Sequence, residues 1–356
     1  MTKDMRYYID IQQAALRMAQ EHASQTVASF VRLWQDSMPD RLYLVGSGTS
    51  GNACRAAAGM MEQVLGVETT AVSPTSLPAL VHGKPLFVFV SQGGQSTNTV
   101  RAIEQLCAWP GIALTGEQNC RINEVCPAHI VLTCEHEEAG PKTMGYTCTI
   151  LTLYHMALEA ALAIGALTQD AYQTYQEKLS RMIDHMGENV ALTWRWLTAE
   201  RAARLLEMHD WAVVGAGTSR FVAGEAALKL QETILRPAAG FEFEEFLHGP
   251  TMMYNASMGG MYLLPTGSDR DRMLALSGIH AGFGSQVINV TCGEKAELCG
   301  DTLVYAADVD EFLAPFWQIL PSQVMGALLP TLAGCAGKGS EIFQMIDRAV
   351  GVKCRK

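Results

Sequence analysis

The chain has 356 residues, room for two domains of ordinary size. Lys and Arg number 26 against 36 Asp and Glu, a net charge of −10 with no basic run. That balance argues against a nucleic-acid or membrane-surface partner but leaves open a local basic pocket for a small anion. At 49% hydrophobic and 17% charged residues, the chain is too apolar to be disordered and can build large cores and a subunit interface.

The first residues, Met1-Thr2-Lys3-Asp4, are charged and lead into an amphipathic stretch, which is not the pattern of a signal peptide. No apolar run reaches the roughly 18 residues that span a bilayer. The ten cysteines, Cys54, Cys107, Cys120, Cys126, Cys134, Cys148, Cys292, Cys299, Cys335 and Cys354, are scattered without a CxxC. They read as reduced, mostly buried thiols of a cytoplasmic protein, with no metal site.

Residues 9–36 carry apolar side chains at helical spacing and predict one long helix or a pair. Arg41 to Val45 is a short strand that runs into Gly46-Ser47-Gly48-Thr49-Ser50-Gly51 and a helix over 52–65. Strands are predicted at 69–72, 86–90, 111–114 and 130–133, with helices between most of them. Short apolar strands alternating with helices mean βαβ units and a parallel sheet. A helical block over 144–205 follows. Then the opening pattern returns: a strand at 211–214, the loop Gly215-Ala216-Gly217-Thr218-Ser219, and a helix over 221–235. Strands at 261–264, 286–291 and 302–305 and a final helix over 310–333 complete the series. The strand–GxGTS–helix unit thus occurs twice, which makes the chain two α/β halves in tandem.

Gly46-x-Gly48-x-x-Gly51 matches the dinucleotide fingerprint by letter. Glu68, near the distance expected of the ribose-binding acid, precedes its strand instead of ending it, and the second copy has Arg220 in place of the third glycine. Both departures argue against NAD, and no cofactor is expected. A second polar loop, Ser91-Gln92-Gly93-Gly94-Gln95-Ser96-Thr97-Asn98-Thr99, joins a strand to a helix and carries no carboxylate. Hydroxyls, backbone N–H groups and a helix N-terminus suit a phosphate monoester. Both loops belong at the carboxyl edge of a parallel sheet, where α/β proteins bind ligands.

Farther on, Lys229 and Glu232 lie i, i+3 on one helical face. A carboxylate beside an ammonium can shuttle a carbon-bound proton while the cation stabilises an enolate-like oxygen. His248 precedes Gly249-Pro250 on a rigid turn, and histidine titrates near neutrality. Glu244 and Glu245 either bind an amine or solvate the loop.

These pieces resemble the sugar isomerase (SIS) domain, found in tandem in the isomerase half of glucosamine-6-phosphate synthase and in related deglycases and deaminases. The resemblance rests on Gly46–Ser50, Ser91–Ser96, Gly215–Ser219, Ala226–Glu232 and His248-Gly249-Pro250, and covers the chain from about residue 40. It implies two parallel sheets flanked by helices, each a flavodoxin-like three-layer sandwich. The expected divisions are an N-terminal helical segment (1–40), SIS domains at 41–165 and 207–340, a helical connector (166–206) and a tail (341–356). By the resemblance, Ser91, Gln92 and Ser96 hold a sugar phosphate, with Thr49 and Ser50 near the sugar. Lys142-Thr143 resembles a stretch that lines the sugar. Glu232 is the base that moves a proton between C1 and C2, Lys229 lies beside the developing enediol oxygen, and His248 assists ring opening, often from the neighbouring subunit. A C-terminal lysine is a family feature, with Lys353 the candidate here. Gly93 stands where the synthase-like motif has a serine.

The chain begins without the N-terminal cysteine nucleophile of the synthase, so the resemblance implies use of a free amine or, as the leading expectation, chemistry that runs toward amine release. The leading expectation is a deglycase cleaving the C–N bond of a 6-phosphorylated amino sugar of the fructoselysine or glucoselysine type. The alternatives are an aminosugar-phosphate deaminase or isomerase of the glucosamine 6-phosphate type and a non-catalytic sugar-phosphate sensor. The partners expected are a small sugar phosphate and a second copy or more of the chain, as a homodimer or homotetramer, with neither nucleic acid nor membrane.

Overall fold

The computed structural model describes residues 3–264, 269–293 and 300–354; Cys299 lies outside the described residues. The chain packs into two compact units. One holds residues 14–138, 144–177 and 342–356, and the other residues 1–13, 139–143 and 178–341.

The first unit is built on β1 (Arg41–Gly46), β2 (Glu68–Val72), β3 (Pro85–Ser91), β4 (Gly111–Thr115) and β5 (His129–Val131). All pairings are parallel, in the order β2-β1-β3-β4-β5. Every residue of β3 is buried, as expected of a central parallel strand covered on both faces. Tyr43, Phe87 and Phe89 stack at centroid spacings of 5.1 and 6.0 Å and anchor one core cluster. The helices Gly48–Leu65 and Met144–Ala163 pack against each other, and in the latter only Glu159, Leu162 and Ala163 escape burial.

The second unit repeats the plan with β6 (Asp210–Gly215), β7 (Ala238–Glu242), β8 (Met258–Leu263), β9 (Val287–Cys292) and β10 (Asp301–Tyr305). Its sheet is again parallel, in the order β10-β9-β8-β6-β7. Read from the other edge, β6 to β10 take the places of β1 to β5. Both sheets therefore have the 2-1-3-4-5 flavodoxin order, whose chain reversal falls between the first and third strands. The helix Ser219–Thr233 packs on β6 and β7 and against Leu320–Leu332.

Several elements differ from expectation. Residues 9–36 form parts of four helices: Met5–Asp10, Gln12–Glu21, Ala23–Thr26 and Ala28–Ser37. The block 144–205 is three helices, Met144–Ala163, Gln169–Trp196 and Ala199–Leu206. The chain turns at Gly165, whose φ of +74° suits only glycine, and restarts at Thr198, whose hydroxyl accepts the Arg201 N–H at 3.2 Å. Strand β7 and the helices Asp269–Gly282 and Lys338–Val350 were not predicted. Nor was the apolar length of Glu311–Leu332, which by length and composition could cross a membrane at mean hydropathy 1.3. Within the fold 83% of that window is buried, the placement of a core helix.

Candidate functional site

The first unit's chain reversal lies between β1 and β3, and the two polar loops singled out in the sequence leave those strands. They are tied together: Asn98 Nδ2 donates to Ser47 Oγ at 2.8 Å. Gly51 lets the helix Gly48–Leu65 approach β1, since a Cβ there would lie 2.8 Å from the Gly46 carbonyl oxygen. Thr49 and Ser50 sit half-buried in the first turn of that helix.

The loop after β3 is a compact hydroxyl-lined turn. Ser91 is buried, and its Oγ lies 3.1 Å from Ser96 Oγ. Ser96 occupies the N-cap of Thr97–Gln105 yet makes no side-chain capping bond. Gly94 folds back through its N–H to the Ser91 carbonyl at 3.0 Å, with φ of +60°. A Cβ at this position would overlap the buried Cys120 side chain.

The C-terminal tail completes the loop. Ser96 and Lys353 form an antiparallel bridge, Thr97 N–H donates to Val352 O at 3.1 Å, and Cys354 N–H donates to Gln95 O at 2.7 Å. Thr97 Oγ1 also donates to Gly351 O at 2.8 Å. The exposed Lys353 ammonium stands 3.6 Å from where a Cβ on Gly93 would be, on the side where the synthase-like motif has a serine. The structure thus brings Ser91, Ser96 and Lys353 together around one loop.

Gln92 and Gly145 form a third contact. Gln92 is held by its carbonyl, which accepts Gly116 N–H at 2.8 Å, and its amide lies where a Cβ of Gly145 would be. Gly145 opens the helix Met144–Ala163, and its N–H donates to Glu137 Oε2 at 2.8 Å.

In the second unit, Lys229 is completely buried, and its Nζ lies 2.6 Å from Glu232 Oε2 and 3.3 Å from Glu225 Oε1. Burial alone would lower the lysine pKa, but the charges of Glu225 and Glu232 and their hydrogen bonds outweigh it, so the pKa is raised. Glu225 is also buried, whereas the Glu232 side chain is 37% exposed. Glu232 is therefore the member of this i, i+4, i+7 triad open to a ligand. Glu225 was missed in the sequence, although its spacing places it on the same helical face.

Thr143, also in this unit, is fully buried, and its carbonyl accepts Gln323 Nε2 at 3.2 Å. His248 is exposed at the end of the short helix Phe243–Leu247, before Gly249 with φ of +139°. Glu244, four residues earlier, is paired with Arg272 and held below its usual pKa chiefly by that hydrogen bond. Glu242 is occupied in accepting the Glu245 N–H at 2.9 Å. Among the described residues, no group of three or more His, Cys, Asp or Glu could hold a metal ion.

Comparison with known proteins places this geometry. No family model matches the chain. It is 26% identical over 306 residues to a glutamine–fructose-6-phosphate aminotransferase (isomerizing) of Thermococcus kodakarensis, covering 83% of this chain and 50% of that protein. It superposes on the C-terminal domain of glucosamine-fructose-6-phosphate aminotransferase from Francisella tularensis with a TM-score of 0.82 at 18% identity, over 94% of this chain and 99% of that one. The fold is that of two sugar isomerase (SIS) domains in tandem. Another SIS-like likeness is tagatose-6-phosphate ketose/aldose isomerase from Escherichia coli, with a TM-score of 0.74 at 16% identity over 94% and 93% of the two chains. The tandem spans about half the length of the curated relatives it matches, 50%, 42% and 48% of the first three.

Proposed function

We propose that the chain is an enzyme acting on a 6-phosphorylated amino sugar, releasing the amine as a deglycase of the fructoselysine or glucoselysine 6-phosphate type. The observation that carries this reading is the loop after β3, where two facing serine hydroxyls, a helix start and the Lys353 ammonium converge at the sheet's reversal point. Those groups suit a phosphate monoester. The name of the Thermococcus relative links amine chemistry to fructose 6-phosphate on a related sequence.

In this reading Ser91, Gln92, Ser96 and Lys353 hold the phosphate, and Thr49 and Ser50 line the sugar. His248, from this chain or a neighbouring copy, moves the proton that opens the ring. Glu232 then takes a proton from one of the carbons C1 and C2 and returns it to the other. That shift turns the C–N single bond into an imine, which water hydrolyses to a carbonyl and a free amine. Lys229 does not reach solvent, so its part is to fix Glu232 and balance its charge, an ammonium it shares with the buried Glu225. Binding energy from the phosphate orients the reacting carbons.

The test is a panel of phosphorylated Amadori and Heyns compounds plus glucosamine 6-phosphate, scored for liberated amine and for hexose 6-phosphate. Release from the amino-acid conjugates supports the deglycase. Release from glucosamine 6-phosphate alone assigns a deaminase, and binding without turnover of any member assigns a sensor.

A further inference from the structure

Glu137 lies outside the groups given a role above, yet it is the acid of the β1–β5 unit that is buried among the described residues, at 3% exposure. A buried carboxylate needs strong donors. One is the Gly145 N–H at 2.8 Å, an orphan donor at the start of Met144–Ala163. The same glycine carries the Gln92 amide on its Cα: a Cβ there would lie only 2.6 Å from Oε1, and nearer still to the other two amide atoms. Because the Gln92 backbone is fixed by Gly116, the position of Gly145 decides where the amide points.

We propose that Glu137 is a positioning residue for the phosphate loop: by gripping the Gly145 N–H it fixes the surface that aims the Gln92 amide at the ligand. The proposal rests on the reading of the Ser91–Ser96 loop as a phosphate site. Its effect belongs to ligand binding and passes through Gln92.

Calorimetric titration with fructose 6-phosphate and with inorganic phosphate tests it. Glu137→Ala weakens binding roughly tenfold, the worth of one charge-assisted hydrogen bond, while Glu137→Gln, whose carbonyl can accept the same N–H, stays within about threefold of wild type. In a Gln92→Ala background Glu137→Ala changes Kd no further, a non-additivity that a merely structural loss would not give. Where Glu137→Ala does not fold, Glu137→Asp, charged but one methylene short, lowers affinity about threefold. Wild-type affinity in Glu137→Ala or Glu137→Asp, equal losses in the Ala and Gln variants, or additivity with Gln92→Ala overturns the proposal and leaves the phosphate site standing. A wild-type chain that binds neither probe overturns both.

Discussion

Gly145→Ala separates ligand positioning from stability more sharply than any change at the serines. A Cβ at 145 would sit 2.6 Å from Gln92 Oε1 and overlap the rest of the amide. Ordinary contact between heavy atoms needs about 3.5 Å, so the nearest amide atom must retreat by a little more than ~2 Å. The displaced group is the end of a three-torsion side chain, which swings away at a cost of about 1 kcal/mol. Alanine in the first turn of a helix recovers part of that over glycine, so the fold should lose little stability. What is lost is one amide hydrogen bond to a charged phosphate, ~1.5–3 kcal/mol, or about 10- to 100-fold in KM. Steady-state amine release, with unfolding followed by calorimetry, measures both. The expected result is a raised KM with kcat within about threefold and Tm within a few degrees. An unchanged KM refutes the placement of Gln92 in the site, and a collapse in Tm refutes the claim that the clash is absorbed by one side chain.

Glu232→Gln should abolish amine release and leave sugar-phosphate binding near wild type; full turnover in that variant would dismiss Glu232 as the base. Lys353→Ala should raise KM about tenfold and flatten its dependence on salt, because an exposed ammonium acts on a phosphate through a screened charge; an unaltered salt slope would place Lys353 outside the site. His155 is buried with both ring nitrogens unpartnered, and burial pushes its pKa from 6.5 down to about 4. The unfolded chain takes up that proton near pH 6.5 and the folded chain does not, so stability falls as pH drops below 6.5, by about 2 kcal/mol at pH 5. His155→Leu should remove that share of the acid sensitivity in urea unfolding run at pH 7 and pH 5, and a parallel loss in both proteins would assign it elsewhere.

The strands β1, β3 and β6 and their glycine loops were legible because each of these βα turns carries a local signature: an apolar run, then Gly-x-Gly or Ser-x-Gly-Gly, then a helical period. β7 was not, since Ala238-Ala239-Gly240-Phe241-Glu242 is a half-exposed edge strand without alternation, and Gly240 is there because the backbone of Gly224 comes within 2.5 Å of where its Cβ would be. The helix Lys338–Val350 was hidden by the glycines before it and has no buried residue to mark an inner face. Glu232 stands out in the sequence by its spacing from Lys229, but the burial of Lys229 between two carboxylates depends on tertiary packing and leaves only that spacing as a clue. Glu137 shows the same limit, because nothing in Glu-Glu-Ala-Gly-Pro announces that the first of the two acids turns inward.

The pairing of Thr97 with Gly351 spans 254 positions of the chain. A contact of such high sequence separation forms slowly from the unfolded chain. During synthesis the serine loop waits for Lys353 until the intervening residues have been made. On the proposed function, a phosphate held by both the loop and the ammonium would act as a clasp, and raising its concentration would hold the tail down.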